Sequence, residues 1–172
     1  MTHPTQALHI PDTQSERDER HLAIQRVGVK DVRYPLRLRV AGAEQQTAAL
    51  WSLDVALPAE KKGTHMSRFV AWLDGLDAPL DAAVLRDKLG AMLTLLGAAE
   101  GRIESRFSFF LRKRAPVSGV SSLMDYQGRW IAEARAGQTT VWTEVAVPVK
   151  SLCPCSKEIS DYGAHNQRST VT

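Results

Sequence analysis

Cys153 and Cys155 are the only two cysteines among 172 residues, and they stand one residue apart in "SLCPCSKEISDYGAHNQRS", with His165 further along the same segment. Thiolate sulfur and imidazole nitrogen suit zinc and related first-row divalent ions, whereas calcium and magnesium favour carboxylate and carbonyl oxygen. Cys153 and His165 converge if the intervening "PCSKEISDYGA" folds back as a turn. Two donors do not complete a site, because structural zinc takes four protein ligands and catalytic zinc three plus water. A further ligand therefore has to come from elsewhere or from another chain. The other reading of the same residues is a pair of inert core thiols with a histidine nearby by chance. A disulfide is disfavoured, since a bridge across one intervening residue closes almost no loop. Reduced thiols fit the cytosol.

A second constellation is "EKKGTHMSRF", where Lys61, Lys62, His65 and Arg68 crowd the start of a helical pattern. Unpaired N–H groups at a helix start, with cations beside them, make a phosphate cradle. A solvated basic turn before an amphipathic helix explains the same residues. No carboxylate pair, Ser/His/Asp ordering or glycine-rich phosphate loop competes with these two segments.

The elements that must position these residues are legible from periodicity. Val32, Tyr34, Leu36, Leu38 and Val40 alternate with Arg33, Pro35, Arg37 and Arg39, which predicts a half-buried strand whose proline favours a sheet edge or a bulge. Its arginine face looks toward solvent or another subunit. After a turn near "AGAE", Ala49, Trp51, Leu53, Val55 and Leu57 predict a second, antiparallel strand. The period then changes: Met66, Phe69, Val70 and Leu73 predict a short helix capped by Thr64. Leu85, Leu89, Met92, Leu96, Ala99 and Ile103 predict a longer one, its stripe belonging to the core. Strands return in "RFSFFLRKR", "SSLMDYQGRWIAEA" and, after a turn at "RAGQ", "TTVWTEVAVPV". Trp51, Trp72, Trp130 and Trp142 read as core or interface residues.

Strands and helices are segregated rather than alternating, which predicts an α+β fold, two helices on one face of an antiparallel sheet. One domain over residues 23–172 is expected, preceded by a flexible arm over 1–22, where the sequence is polar and carries Pro4 and Pro11. A hydrophobic fraction of 44% with 24% charged residues is that of a globular protein, and a net charge of +3 lacks the dense basic blocks of a nucleic-acid binder. No apolar run is long enough to span a bilayer and no leader pattern opens the chain, so a cytoplasmic protein is expected.

The segments "GTHMSRF" at 63–69, "APVSGVSSLMDY" at 115–126 and "SLCPCSKEISDYGAHNQRS" at 151–169 closely resemble the type IB GTP cyclohydrolase family. The resemblance runs from about residue 18 to the end of the chain and covers the N-terminal part of the family's usual length. It implies a tunnelling-fold unit, homo-oligomers that are tetramers in the complete enzyme, and sites at subunit interfaces. It also implies conversion of GTP and water to 7,8-dihydroneopterin triphosphate and formate, the first step of tetrahydrofolate synthesis, with manganese, zinc or iron as the divalent ion. Carried over by position, Cys153 and His165 match the catalytic metal ligands, and Cys155 matches a thiol that supports them without touching the ion. Glu158, Tyr162, Asn166, Gln167 and Arg168 lie in the same segment. Lys62, His65 and Arg68 are the candidates for holding substrate. The family's third ligand, a glutamate, and the carboxylate that anchors the base fall beyond Thr172, so a truncated chain is expected. The alternative function is a non-catalytic assembly module, and a weaker one a small protein with a structural metal site.

Overall fold

The structure, a computed structural model, describes Asp12, Gln14 and residues 16–172. Of the arm expected over residues 1–22, residues 1–11, Thr13 and Ser15 lie outside the described residues. The rest of that segment touches the body of the protein. Asp18 N–H donates to Glu60 O over 2.9 Å, and Arg17 forms an antiparallel bridge with Lys61.

Nine elements follow in the order β1 (Ile24–Val40), β2 (Ala43–Leu57), α1 (Met66–Asp74), α2 (Ala82–Leu96), β3 (Gly101–Arg114), β4 (Ser121–Arg135), β5 (Gln138–Leu152), α3 (Pro154–Ile159) and β6 (Asn166–Val171). The six strands form one antiparallel sheet in sequence order. Pro35, opposite Ala48, sits on the edge strand β1, where its missing N–H leaves no neighbour unsatisfied. Two hairpins close with the same chemistry. Ala41 and Gly42 join β1 to β2, Ala136 and Gly137 join β4 to β5, and all four have positive φ, as two-residue turns matched to strand twist require.

One sheet face carries the core. Leu36 and Leu38, then Ala49, Trp51, Leu53 and Val55, then Ile103 and Phe107, then Trp130 and Ala132 pack beneath Phe69, Trp72 and Leu73 of α1 and Leu85, Leu89, Met92 and Leu96 of α2. Fully burying each such side chain contributes about 1.5–3 kcal/mol. Trp51 meets Trp72 edge-on, with ring centroids 6.1 Å apart. Trp142 departs from its companions, being 46% exposed on β5.

Three sequence expectations are corrected here. Thr64 does not cap α1: His65 occupies the cap position without a side-chain bond, and Thr64 is buried. The α2 stripe stops at Leu96, because Gly97 turns left-handed at φ 59° and its N–H and that of Ala98 close back onto Thr94 and Leu93. Ile103 reaches the same core from β3. Among the described residues a third helix joins the two that were expected. Alpha-1 and α2 share the core face, and the third, α3, buries no residue.

The opposite sheet face is polar and cross-linked between strands. Arg26 pairs with Asp54 and Arg106 with Asp31, while Glu104 accepts from Arg102 at 3.1 Å and from Arg129 at 2.9 Å, and Arg129 reaches Glu144 at 3.1 Å. Arg33, Arg37 and Arg39 of β1 are exposed on the side away from the core. No helix among the described residues is long and apolar enough to cross a membrane.

Candidate metal centre

Strand β5 changes partner along its length. Residues 138–146 pair with β4, whereas Val147–Leu152 pair with β6, so the end of the strand leaves β4 and forms a two-stranded extension. The cysteine–histidine segment is the loop of that extension. Cys153 N–H donates to His165 O over 3.2 Å, adding a rung beyond Leu152↔Asn166 and setting the two residues opposite each other.

The loop between them is mostly helix rather than the expected turn. Pro154 takes the first helical position of α3, where a missing N–H costs nothing, and Lys157 N–H closes the first turn onto Cys153 O at 3.1 Å. Gly163, at φ 106°, then lets the chain reverse toward His165, a conformation hostile to any residue with a Cβ.

Cys153 is buried and Cys155 exposed, and both are free thiols. The Ser156 hydroxyl, and after it the Ser156 amide, hold the Cys153 thiol below its ordinary pKa; the amide and thiol of Cys155 act the same way, against the opposing effect of burial. Hydrogen bonds to the anionic form favour a thiolate, the species that binds metal. Ser156 Oγ also lies 2.8 Å from His165 Nδ1.

The donor set fits a borderline-soft divalent ion in kind: one sulfur biased toward thiolate and one imidazole. It does not fill a coordination shell. Among the described residues no group of three His, Cys, Asp or Glu side chains could hold an ion. Glu158, Tyr162, Asn166, Gln167 and Arg168 are all exposed around the loop.

The second constellation lies elsewhere. The loop after β2 follows Leu57, whose partner is Ile24, at the end of the sheet that also holds Gly101 and Ala134. Cys153 follows the far end of β5, a strand of 15 residues, or roughly 45 Å at about 3.3 Å per residue. Within one chain the cations and the cysteine–histidine pair therefore sit at opposite ends of the sheet. Each of these side chains already lies against another part of the chain. Lys62 Nζ reaches Glu16 at 2.7 Å, His65 Nε2 faces Asp12 at 3.3 Å, Arg68 donates to Leu95 O at 3.2 Å, and Lys61 donates to Gly97 O at 2.5 Å.

Sequence reasoning missed Ser156. A readable signal was present: Pro after Cys153 marks a helix start, and the residue three beyond a cap position is placed to face back onto the cap side chain. The ion-pair ladder of the polar face was also missed, because its partners are distant in sequence.

Residues 10–172 match the sequence model of a family described as type I GTP cyclohydrolase folE2. A GTP cyclohydrolase FolE2 of Methylibium petroleiphilum is 74% identical over 179 residues, a match covering 100% of this chain and 60% of the relative. One from Paraburkholderia xenovorans is 56% identical over 173 residues, covering 100% of this chain and 65% of the relative. A protein named GTP cyclohydrolase FolE2 2 from Cupriavidus metallidurans is 55% identical over 166 residues, covering 96% and 62%. The chain thus spans less than two thirds of the length of the curated relatives it matches.

Proposed function

This chain belongs to the type I GTP cyclohydrolase FolE2 family, and from that membership we propose that it takes part in converting GTP and water to 7,8-dihydroneopterin triphosphate and formate in folate synthesis. The observation that carries the reading is the family match across residues 10–172. The convergence of Cys153 and His165 across one loop is compatible with it.

Cys153 and His165 would hold a divalent ion such as manganese, zinc or iron, which when bound supplies Lewis acidity for the hydrolytic chemistry. The chain's own contribution is to prepare the donors. Hydrogen bonding from Ser156 and Cys155 lowers the pKa of the Cys153 thiol, which favours the form that binds a metal. Burial of Cys153 keeps competing water from it. The exposed side of the loop, with His165, Asn166 and Gln167, is open to a substrate the size of a nucleotide.

Lys62, His65 and Arg68 are the proposed triphosphate contacts. Because they lie at the opposite end of the sheet from Cys153, a substrate touching both would bridge two chains. This favours the homo-oligomer that the resemblance implies, built from tunnelling-fold units whose outer strands, β1 and β6, pair with further copies. A cytoplasmic location accompanies this reading, with GTP as the ligand and no role for nucleic acid or membrane.

The test is chemical. The purified chain is incubated with GTP and Mn²⁺, Zn²⁺ or Fe²⁺, and formate and the oxidised, fluorescent pterin are measured. Formate release that disappears in Cys153→Ala is the expected result. GTP left intact with all three ions would overturn the proposal for this chain and favour an assembly module instead.

A further inference from the structure

Toward the end of the sheet that carries Cys153, the strands separate into pairs. β2 leaves β3 after Ala49↔Phe107, and β4 leaves β5 after Gln127↔Ala146. Beyond those rungs the pairing continues as three ribbons, β1 with β2, β3 with β4 and β5 with β6. Ser121 of the middle ribbon and Leu152 of the outer one lie equally far past the last β4–β5 rung, about 20 Å at roughly 3.3 Å per residue. The turn that joins β3 to β4 therefore stands at the same end of the chain as the Cys153–His165 loop.

The middle ribbon is braced. Where β2 has left it, the Gln45 side chain takes over: Nε2 donates to Phe110 O at 2.7 Å, and Phe110 N–H donates to Oε1 at 2.9 Å. The turn closes with Ala115 N–H on Val120 O at 2.9 Å, and Arg114 Nε donates to Gly119 O at 3.1 Å. Arg112, Lys113 and Arg114 are exposed at this tip. Alternation along β3 puts Arg112 and Arg114 on the face shared with Glu104 and Arg106, and Lys113 on the other. Further along β3 and β4 the cations of that face are matched, Arg106 by Asp31 and Arg129 by Glu104 and Glu144. Among the described residues the Arg112 guanidinium has no hydrogen-bond or ion-pair partner. Across the ribbon, Leu123 and Ser121 stand opposite Arg112 and Arg114, and the ribbon's carboxylate, Asp125, stands opposite Phe110.

Two guanidinium groups on one face of a braced hairpin, with donors left over and no acid opposite them, suit an anion that carries several oxygens in a row. A planar fork meets two oxygens of a phosphate at once. We propose that Arg112 and Arg114 form a polyphosphate-binding site that holds the anionic tail of the nucleotide on the same chain as Cys153 and His165. The inference rests on the nucleotide reading given above and adds a contact to it. Lys62 and Arg68 would reach that substrate from a neighbouring copy, whereas the β3–β4 tip needs none.

The probe is inorganic tripolyphosphate, titrated calorimetrically into the whole chain carrying Lys62→Ala and Arg68→Ala, so that the tip's contribution is read by itself. That chain is expected to bind the probe, more weakly as salt rises, and Arg112→Ala in the same background to lower the affinity about 10-fold or more. Arg112→Ala is the decisive variant, because Arg114 also braces the turn. Lys113→Ala, which removes the same charge from the other face, is expected to bind as the background chain does. No binding by the background chain, an affinity untouched by Arg112→Ala, or an equal loss in Lys113→Ala overturns the site. Formate release from GTP is measured separately. Turnover with a tripolyphosphate affinity indifferent to Arg112 removes this site and keeps the proposed function, whereas Arg112-dependent binding without turnover keeps the anion site and removes the catalytic reading.

Discussion

Phe107 and Gly128 face each other across β3 and β4, and the phenylalanine ring lies over the glycine where any side chain would stand. A Cβ built on Gly128 would come within 2.6 Å of the Phe107 ring. The ring gains a second neighbour from this arrangement, since its centroid is 4.5 Å from that of Trp130. The absent side chain at residue 128 is what lets the aromatic pair close over the sheet.

Gly128→Ala is accordingly expected to destabilise the fold by about 1–3 kcal/mol, the usual cost of overpacking a dense core. Gly137→Ala replaces a glycine at φ 75°, but its turn is open and no atom lies within 4 Å of the added carbon. Strain from its positive φ is the only cost there. Urea denaturation of both separates the two effects: Phe107 fluorescence neighbours such as Trp130 should report a changed environment in Gly128→Ala alone.

Leu89 of α2 is fully buried against the sheet. Leu89→Ala should cost about 2–5 kcal/mol through lost burial and the cavity left behind. Asp81 caps the same helix by accepting from the N–H groups of Ala83 and Val84, and Asp81→Ala should cost about 0.5–2 kcal/mol. Thermal melts that place the cap variant below the core variant would contradict this ranking.

Glu104 is held below the usual carboxylate pKa, first by its hydrogen bond with Arg129, then by the charges of Arg129, Arg102 and Arg106, against the opposing effect of burial. A carboxyl depressed in the folded state stabilises it fully above the unfolded pKa and loses that contribution as pH falls through the folded value. Glu104→Gln should therefore be less stable than wild type by about 1 kcal/mol at neutral pH. The gap should close below the ordinary value of 4.5. A gap that stays constant from pH 7 to pH 3 would show that the charge is not its source.

His165→Ala should lower bound metal well below one ion per site while leaving the circular dichroism of the chain intact, because His165 is exposed and buries no core surface. Metal analysis of the purified variant reads this directly, and unchanged stoichiometry would refute the assignment.

Replacing Lys62 and Arg68 together by alanine should weaken nucleotide binding, more at low salt than at high, as expected when exposed cations contact phosphate. Both side chains now serve internal partners, Glu16 and Leu95 O, so a substrate phosphate would have to displace them. Equal affinity of the unaltered chain for GTP and guanosine would argue against a triphosphate contact there.

The sequence by itself determined the sheet, its two capping helices and the two groups of chemical residues. These are properties of neighbours along the chain. Period two places Ala49, Trp51, Leu53 and Val55 on one face, period 3.6 places Leu85, Leu89 and Met92 on another, and Ala-Gly turns close two hairpins. The same local logic failed where long-range packing intervened. Ile103 fits the helical stripe of α2 by spacing, yet Gly97 ends the helix and the residue enters the core from a strand. Only the tertiary structure decided that β5 would exchange β4 for β6, that Cys153 and His165 would oppose each other, and that Lys62 and Arg68 would lie at the other end of the sheet. Strand pairing joins residues distant along the chain, and its register is chosen by all the faces that must be buried at once. No local spacing contains that choice.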